Sequence, residues 1–266
     1  MTDCGRLARV SYERMHHDAI DLPAWDRPRR DAPPEHRIVV CSSPRSGSYL
    51  LCRQMINAGL GIPHEYFRAR TIAPLAARFG VDPKDDAAYI DALEARRTTA
   101  NGVFAAKLQW WQLTEHPLAR ERLLERADLI IFLYRRDVIA QAVSWQVSLA
   151  TGYWSFDTTP GPRVADVSLE DPELTLKLMR NLVAENRAWE GLLAKLGRRL
   201  LAVPYESFAR EQSAFLRQLA ADCALPPGTW SLPLPEGRDT RLPSAVETAR
   251  ERLLAQARAA YAAAAP

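Results

Sequence analysis

No stretch constrains this chain more than RIVVCSSPRSGSYLLCRQMINA, from Arg37 to Ala58. It reads as a short apolar strand (Ile38 to Cys41), a tight polar turn (Ser42-Ser43-Pro44-Arg45-Ser46-Gly47) and a helix opening at Ser48. Strand, glycine-bearing turn and helix together aim several backbone N–H groups and a helix N-terminus at one point, and such a point binds phosphate. Arg45 adds a fixed positive charge whose planar fork suits phosphate or sulfate oxygens. A turn needs its glycine, but not an arginine between two serines. Ser43, Arg45, Ser46, Gly47 and Ser48 therefore read as an anion cradle rather than an ordinary strand-to-helix turn.

The remainder of the chain supplies more strands and helices in alternation. Val103 to Leu108 predicts a second strand ending in Gln109-Trp110-Trp111, and Leu129 to Tyr134 a third and most apolar one. Leu200 to Val203 predicts a fourth, closed by Pro204-Tyr205-Glu206. Between them lie helical stretches at about 72–78, 85–97, 115–125 and 138–150, then a long one from about 173 to 196 and others at 212–223 and near the C-terminus. Asp137 is placed to cap the helix that begins at Val138, and Asp171-Pro172-Glu173 is a strong helix start. This order argues for an α/β fold: a mostly parallel central sheet flanked by helices in three P-loop-like layers. Residues 1–36, rich in Pro, Arg, Asp and His, read as an irregular N-terminal arm with a short helical turn near Arg9 to Met15. Residues 37–266 read as a single domain.

Composition excludes several classes. A net charge of +3 over 266 residues is too small to argue for nucleic acid, yet it suits an anionic small ligand. Cys4, Cys41, Cys52 and Cys223 have no metal-ligand spacing, so no metal is expected, and buried thiols fit a reducing, cytoplasmic setting. No apolar run approaches the length that crosses a membrane, and no signal peptide is visible.

The cradle is not a Walker A loop, because the GxxxxGK lysine and its spacing are absent. It is not a dinucleotide fingerprint either, since Gly47 stands alone. SSPRSGSYLL resembles the 5′-phosphosulfate loop of sulfotransferases, commonly Pro, Arg or Lys, Ser, Gly, Ser or Thr, any residue, Leu. Arg136 follows the third strand and Ser144 lies inside the next helix, eight positions on, the spacing with which that family holds the 3′-phosphate of PAPS. GIPHEYFR, KLQWW, RRDVIAQAVSW with TGYW, and VPYESF resemble the bacterial trehalose 2-sulfotransferase family, over roughly Ile38 to Phe208. The resemblance implies PAPS as donor, a hydroxyl of a carbohydrate or glycoside-like molecule as acceptor, PAP as product and a homodimer. The arm ahead of the first strand and the loose match at Arg238-Asp239-Thr240-Arg241 are departures from the family's pattern.

The resemblance gives roles to individual residues. Glu65 matches the family's catalytic base, with His64 a competitor because its ordinary pKa lies nearer neutrality. Arg45 serves the transferring sulfonate as well as the donor, and Arg135 competes with Arg136 for the 3′-phosphate. Lys107 either reaches the same anion or is a strand-end lysine with its stem in the core. Glu185 falls on the apolar stripe of the long helix, where a carboxylate is costly unless paired. Trp110, Trp111 and Trp154 either stack on a ring or belong to the core. Two other readings predict different behaviour: a nucleotide-dependent kinase with a degenerate P-loop, and a non-catalytic nucleotide-binding protein.

Overall fold

The computed structural model describes residues 19–154, 169, 171–225 and 244–263. The helical turn expected at Arg9 to Met15 and the Arg238–Arg241 segment lie outside the described residues. Four strands, β1 (His36–Ser42), β2 (Val103–Gln109), β3 (Leu129–Tyr134) and β4 (Leu200–Pro204), form one sheet in the order β2-β1-β3-β4. All three pairings are parallel, with Ser42 opposite Gln109 and Leu133, and Leu133 opposite Val203. The expectation of a mostly parallel sheet is met without an antiparallel exception among the described strands.

Alternation along the strands builds two cores. Ile38, Val40, Val103, Ala105, Ile131 and Val203 face one way and pack against Leu51 and Met55 of α1 (Ser48–Asn57). Val39, Cys41, Phe104, Ala106, Ile130 and Phe132 face the other and meet Leu75, Tyr89 and Leu93. Those three come from α2 (Ala69–Phe79) and α3 (Asp86–Arg97). A parallel sheet buried on both faces accounts for the unbroken apolar run of β3 and for the burial of β2 along its whole length. This is the three-layer α/β arrangement that the sequence predicts.

Three details differ from expectation. Trp110 and Trp111 do not extend β2; they open α4 (Trp110–Glu115). Gln112 caps it from one side: the Gln109 backbone N–H donates to Gln112 Oε1 at 2.9 Å, while Gln109 Oε1 is buried with no hydrogen-bond partner. The Gln112 side chain thus satisfies a backbone donor that a continuing strand would have left to a neighbour. The helix expected over 115–125 is broken: one turn at Pro117–Ala119 passes into a π-helical turn at Arg120–Leu124. Lastly, residues 19–25 are not featureless, because two short 3₁₀ turns place Ile20 and Trp25 in a cluster with Ile56 and Ile62.

The chain divides into two compact units. One, whose described residues are 19–134 and 186–225, carries the sheet. It includes α7 (Tyr205–Arg210) and α8 (Gln212–Asp222). The described residues of the other are 135–154, 169, 171–185 and 244–263. Its described elements are α5 (Val138–Thr151), the first part of α6 (Pro172–Leu193) and α9 (Ser244–Ala263). Within it, Ala142 and Trp145 of α5 pack on Leu178 and Leu182 of α6, while Val143 and Val147 meet Leu253 and Ala257 of α9.

Candidate active site

The loop after β1 is strained in the manner of a ligand cradle. Arg45 has φ 61° and Gly47 φ 87°, two left-handed residues within three positions. For an arginine that conformation costs on the order of 1–2 kcal/mol, and such strain persists only where the surroundings impose it. Gly47 is also closed in from outside: a Cβ built on it would lie 2.2 Å from the Tyr205 ring. Tyr205 opens α7 straight after β4, so the sequence VPYESF sets the ring against the cradle.

Ser42, Ser43 and Ser46 are fully buried and Ser48 nearly so. The Ser42 carbonyl accepts from Trp189 Nε1 at 3.2 Å, and its Oγ accepts from Gln109 Nε2 at 3.3 Å. The first ties the end of β1 to the helix bearing Trp189, the second to β2. Ser46 Oγ, by contrast, is buried with no hydrogen-bond partner. A buried hydroxyl without a partner costs about 1–3 kcal/mol, which a bound anion at the mouth of α1 would remove.

Glu65 lies in the same unit, on a turn from His64 to Arg68 that is buried throughout. Lys107 holds it, Nζ to Oε1 2.5 Å, and the Lys107 amide donates to the His64 carbonyl at 2.9 Å. Burial alone would raise the Glu65 pKa; the Lys107 and Arg68 charges, the Lys107 hydrogen bond and His64 overcome it and hold the carboxyl at about 2. Lys107 thus takes a place that neither sequence reading foresaw, as the buried ion partner of Glu65. His64 Nε2 lies 2.9 Å from Asp21 Oδ1, and Arg68 Nη2 is 3.1 Å from the same nitrogen and 3.4 Å from Asp21 Oδ2. Asp21 was not anticipated at all.

Arg136 and Ser144 fall in the other unit, Arg136 two residues past β3 and exposed, Ser144 half-buried within α5. Asp137 caps α5 as expected: its Oδ1 accepts from the Ala140 amide at 2.9 Å, and Arg258 bridges to Oδ2 at 2.6 Å. Arg135 is half-buried beside them. Trp110 packs edge-to-face on Trp189 with ring centres 5.2 Å apart, which makes it a core residue. Gln146 and Thr175 join α5 to α6 through a 2.5 Å hydrogen bond.

Glu185 has a buried Oε2 with no hydrogen-bond partner, and burial pushes its carboxyl up to about 7. A carboxyl with a raised folded-state pKa favours folding fully below its ordinary value and loses that contribution as pH rises toward 7. Glu185→Gln is therefore expected to raise the melting temperature at pH 8 and to leave it nearly unchanged at pH 4.5. Melting curves at the two pH values check this; an equal shift at both would show that Glu185 ionises freely in the folded protein.

Among the described residues no helix is long and apolar enough to cross a membrane, and no cluster of ligating side chains is placed to hold a metal ion. Among curated proteins no significant relative is found. Sulfotransferase STF9 from Mycobacterium avium is a similar solved structure at 15% sequence identity, with a TM-score of 0.40, covering 85% of this chain and 69% of that one. The sequence profile of the Stf0 sulphotransferases matches residues 37–229, a span holding the cradle, the Glu65 turn, Arg136, Ser144 and β4. With the α/β fold in place beneath that match, the chain belongs to the Stf0 sulphotransferase family, and the chemistry it serves is sulfonyl transfer.

Proposed function

We propose that this sulfotransferase moves the sulfonate of PAPS to a hydroxyl of a carbohydrate or glycoside-like small molecule and releases PAP. The observation that carries the reading is the buried, unpartnered Ser46 hydroxyl in a loop bent through two left-handed residues at a helix mouth. Ser43, Arg45, Ser46, Gly47 and Ser48 hold the 5′-phosphosulfate end. The 3′-phosphate assignment of Arg136 and Ser144 rests on the spacing of the motif.

Sulfuryl transfer, like phosphoryl transfer, is mainly positioning and stabilisation of spreading negative charge. The acceptor oxygen forms its bond to sulfur as the bond from sulfur to the phosphate oxygen breaks, and the electron pair leaves on PAP. Arg45 and the α1 N-terminus stabilise the charge on the leaving phosphate and the equatorial sulfonate oxygens. The hydroxyl proton passes to Glu65, which Lys107 keeps ionised over the whole working pH range.

A ligand that binds only the native state raises its melting temperature. PAP at saturating concentration is expected to do so without added metal, whereas ATP with Mg²⁺ is not. Stabilisation by ATP–Mg²⁺ alone would instead support the kinase reading. Labelled donor offered with a panel of sugars is expected to yield a sulfated sugar, and label reaching only non-sugar hydroxyls would overturn the carbohydrate assignment. The free thiols of Cys41, Cys52 and Cys223 support a cytoplasmic setting. A homodimer is the assembly the family resemblance implies, and sedimentation of the full chain tests it.

A further inference from the structure

Ahead of the family-matched region, which begins at residue 37, the chain inserts a carboxylate into the surroundings of Glu65. Asp21 is only 6% exposed, and its partner Arg68 3%. Its two oxygens divide between His64 and Arg68: Oδ1 lies 2.9 Å from His64 Nε2, and Oδ2 3.4 Å from Arg68 Nη2. These residues stand one before and three after Glu65, so a single carboxylate grips both ends of the turn on which Glu65 sits. Lys107 fastens the turn as well, through its amide to the His64 carbonyl and its ammonium to Glu65, and Tyr89 Oη donates to the Tyr66 carbonyl at 2.8 Å.

Charge makes the same point. Asp21 and Glu65 are two buried anions beside two buried cations, Arg68 and Lys107. Arg68 already acts on Glu65 at a distance. Removing Asp21 takes one of the two buried carboxylates away from Arg68, whose charge then acts on Glu65 with less to offset it. Glu65 would then be drawn between two cations instead of standing against one.

The segment bearing Asp21 has its own anchors, independent of Glu65. Arg78 donates to the Asp21 carbonyl at 2.7 Å and pairs with Asp26, Arg97 donates to the Ile20 carbonyl at 2.8 Å, and Ile20 and Trp25 are buried. The Asp21 side chain is therefore not needed to dock the segment.

Resting on the reading of Glu65 as the base, we propose that Asp21 is a positioning residue for Glu65, acting through His64 and Arg68.

The test is a double-mutant cycle in the full chain, with kcat counted per PAP-binding site so that loss of folded protein drops out. Asp21→Asn keeps the size and removes the charge; it is expected to lower kcat at least 10-fold while PAP affinity and donor KM stay within two-fold. Combined with Glu65→Gln it should cost nothing beyond Glu65→Gln alone. Asp26→Asn, which strips anchors from the same segment, is expected to lower the melting temperature without lowering kcat per site. Normal kcat per site in Asp21→Asn overturns the proposal, and so do losses that multiply in the double variant, which would place Asp21 in a separate role. If Glu65→Gln itself turns over normally, the base reading fails first, and it fails visibly before Asp21 is considered.

Discussion

Glu65→Gln is expected to cut kcat by about 10²–10⁴-fold, the usual worth of a positioned proton acceptor, while PAP binds as before. The amide keeps the shape of the side chain and one oxygen within reach of Lys107, but it cannot take a proton from an attacking hydroxyl. The buried ammonium of Lys107 loses its counter-charge as well, and breaking one side of a buried pair commonly destabilises by about 3–5 kcal/mol. Activity must accordingly be referred to PAP-binding sites rather than to total protein. The same pair has a pH signature. With its carboxyl held at about 2 against an ordinary 4.5, Glu65 contributes stability that is complete above pH 4.5 and drains away as pH falls toward 2. The parent protein should lose stability across that acid window more steeply than Glu65→Gln. Near-normal turnover per site in Glu65→Gln would move the role to His64.

Gly47→Ala should be nearly as damaging, by a different route. The new methyl would need to occupy space 2.2 Å and 2.3 Å from two Tyr205 ring carbons, on a residue whose φ of 87° an L side chain rarely adopts. Backbone strain alone costs about 1–2 kcal/mol, and relieving the overlap means displacing either the ring or the loop. If the loop moves, Ser46 and Arg45 lose their placement. The expected result is a melting temperature lower by several degrees and PAP affinity weakened at least 10-fold. Tyr205→Ala in the Gly47→Ala background, which clears the overlap but not the strain, should recover part of the stability. A Gly47→Ala protein with parental PAP affinity would show that the cradle does not depend on this close approach.

Local signals carried most of the architecture. β1, the turn and the opening of α1 are one contiguous string, and Asp137 announced α5 because a cap and its helix are neighbours in the chain. What escaped depends on residues far apart in sequence. Lys107 and Glu65 meet because β2 lies beside β1 and pins the His64 carbonyl, which no local pattern encodes. Tyr205 closes on Gly47 only because β4 ends beside β3. Asp21 lay in a segment whose Pro, Arg and Asp content suggested an irregular arm; Ile20 and Trp25, apolar residues amid that polarity, were the available sign that it docks. The start of α4 was legible in principle, since Gln109 and Gln112 stand at the spacing of a reciprocal cap, but the tryptophans between them suggested a strand end.

The order of the strands also bears on how the protein reaches its native state. His36 pairs with Val103, Ile38 with Leu129 and Ile130 with Leu200, so no strand finds its partner through a hairpin. Each pairing must close a long loop before any ladder bond repays the lost chain entropy, and chains of this topology fold slowly. The cradle follows the strand flanked on both sides, and its closing tyrosine arrives with the last strand of the sheet. Closure of the loop by Tyr205 thus waits until β4 has paired with β3, and on a growing chain until residue 205 has been synthesised.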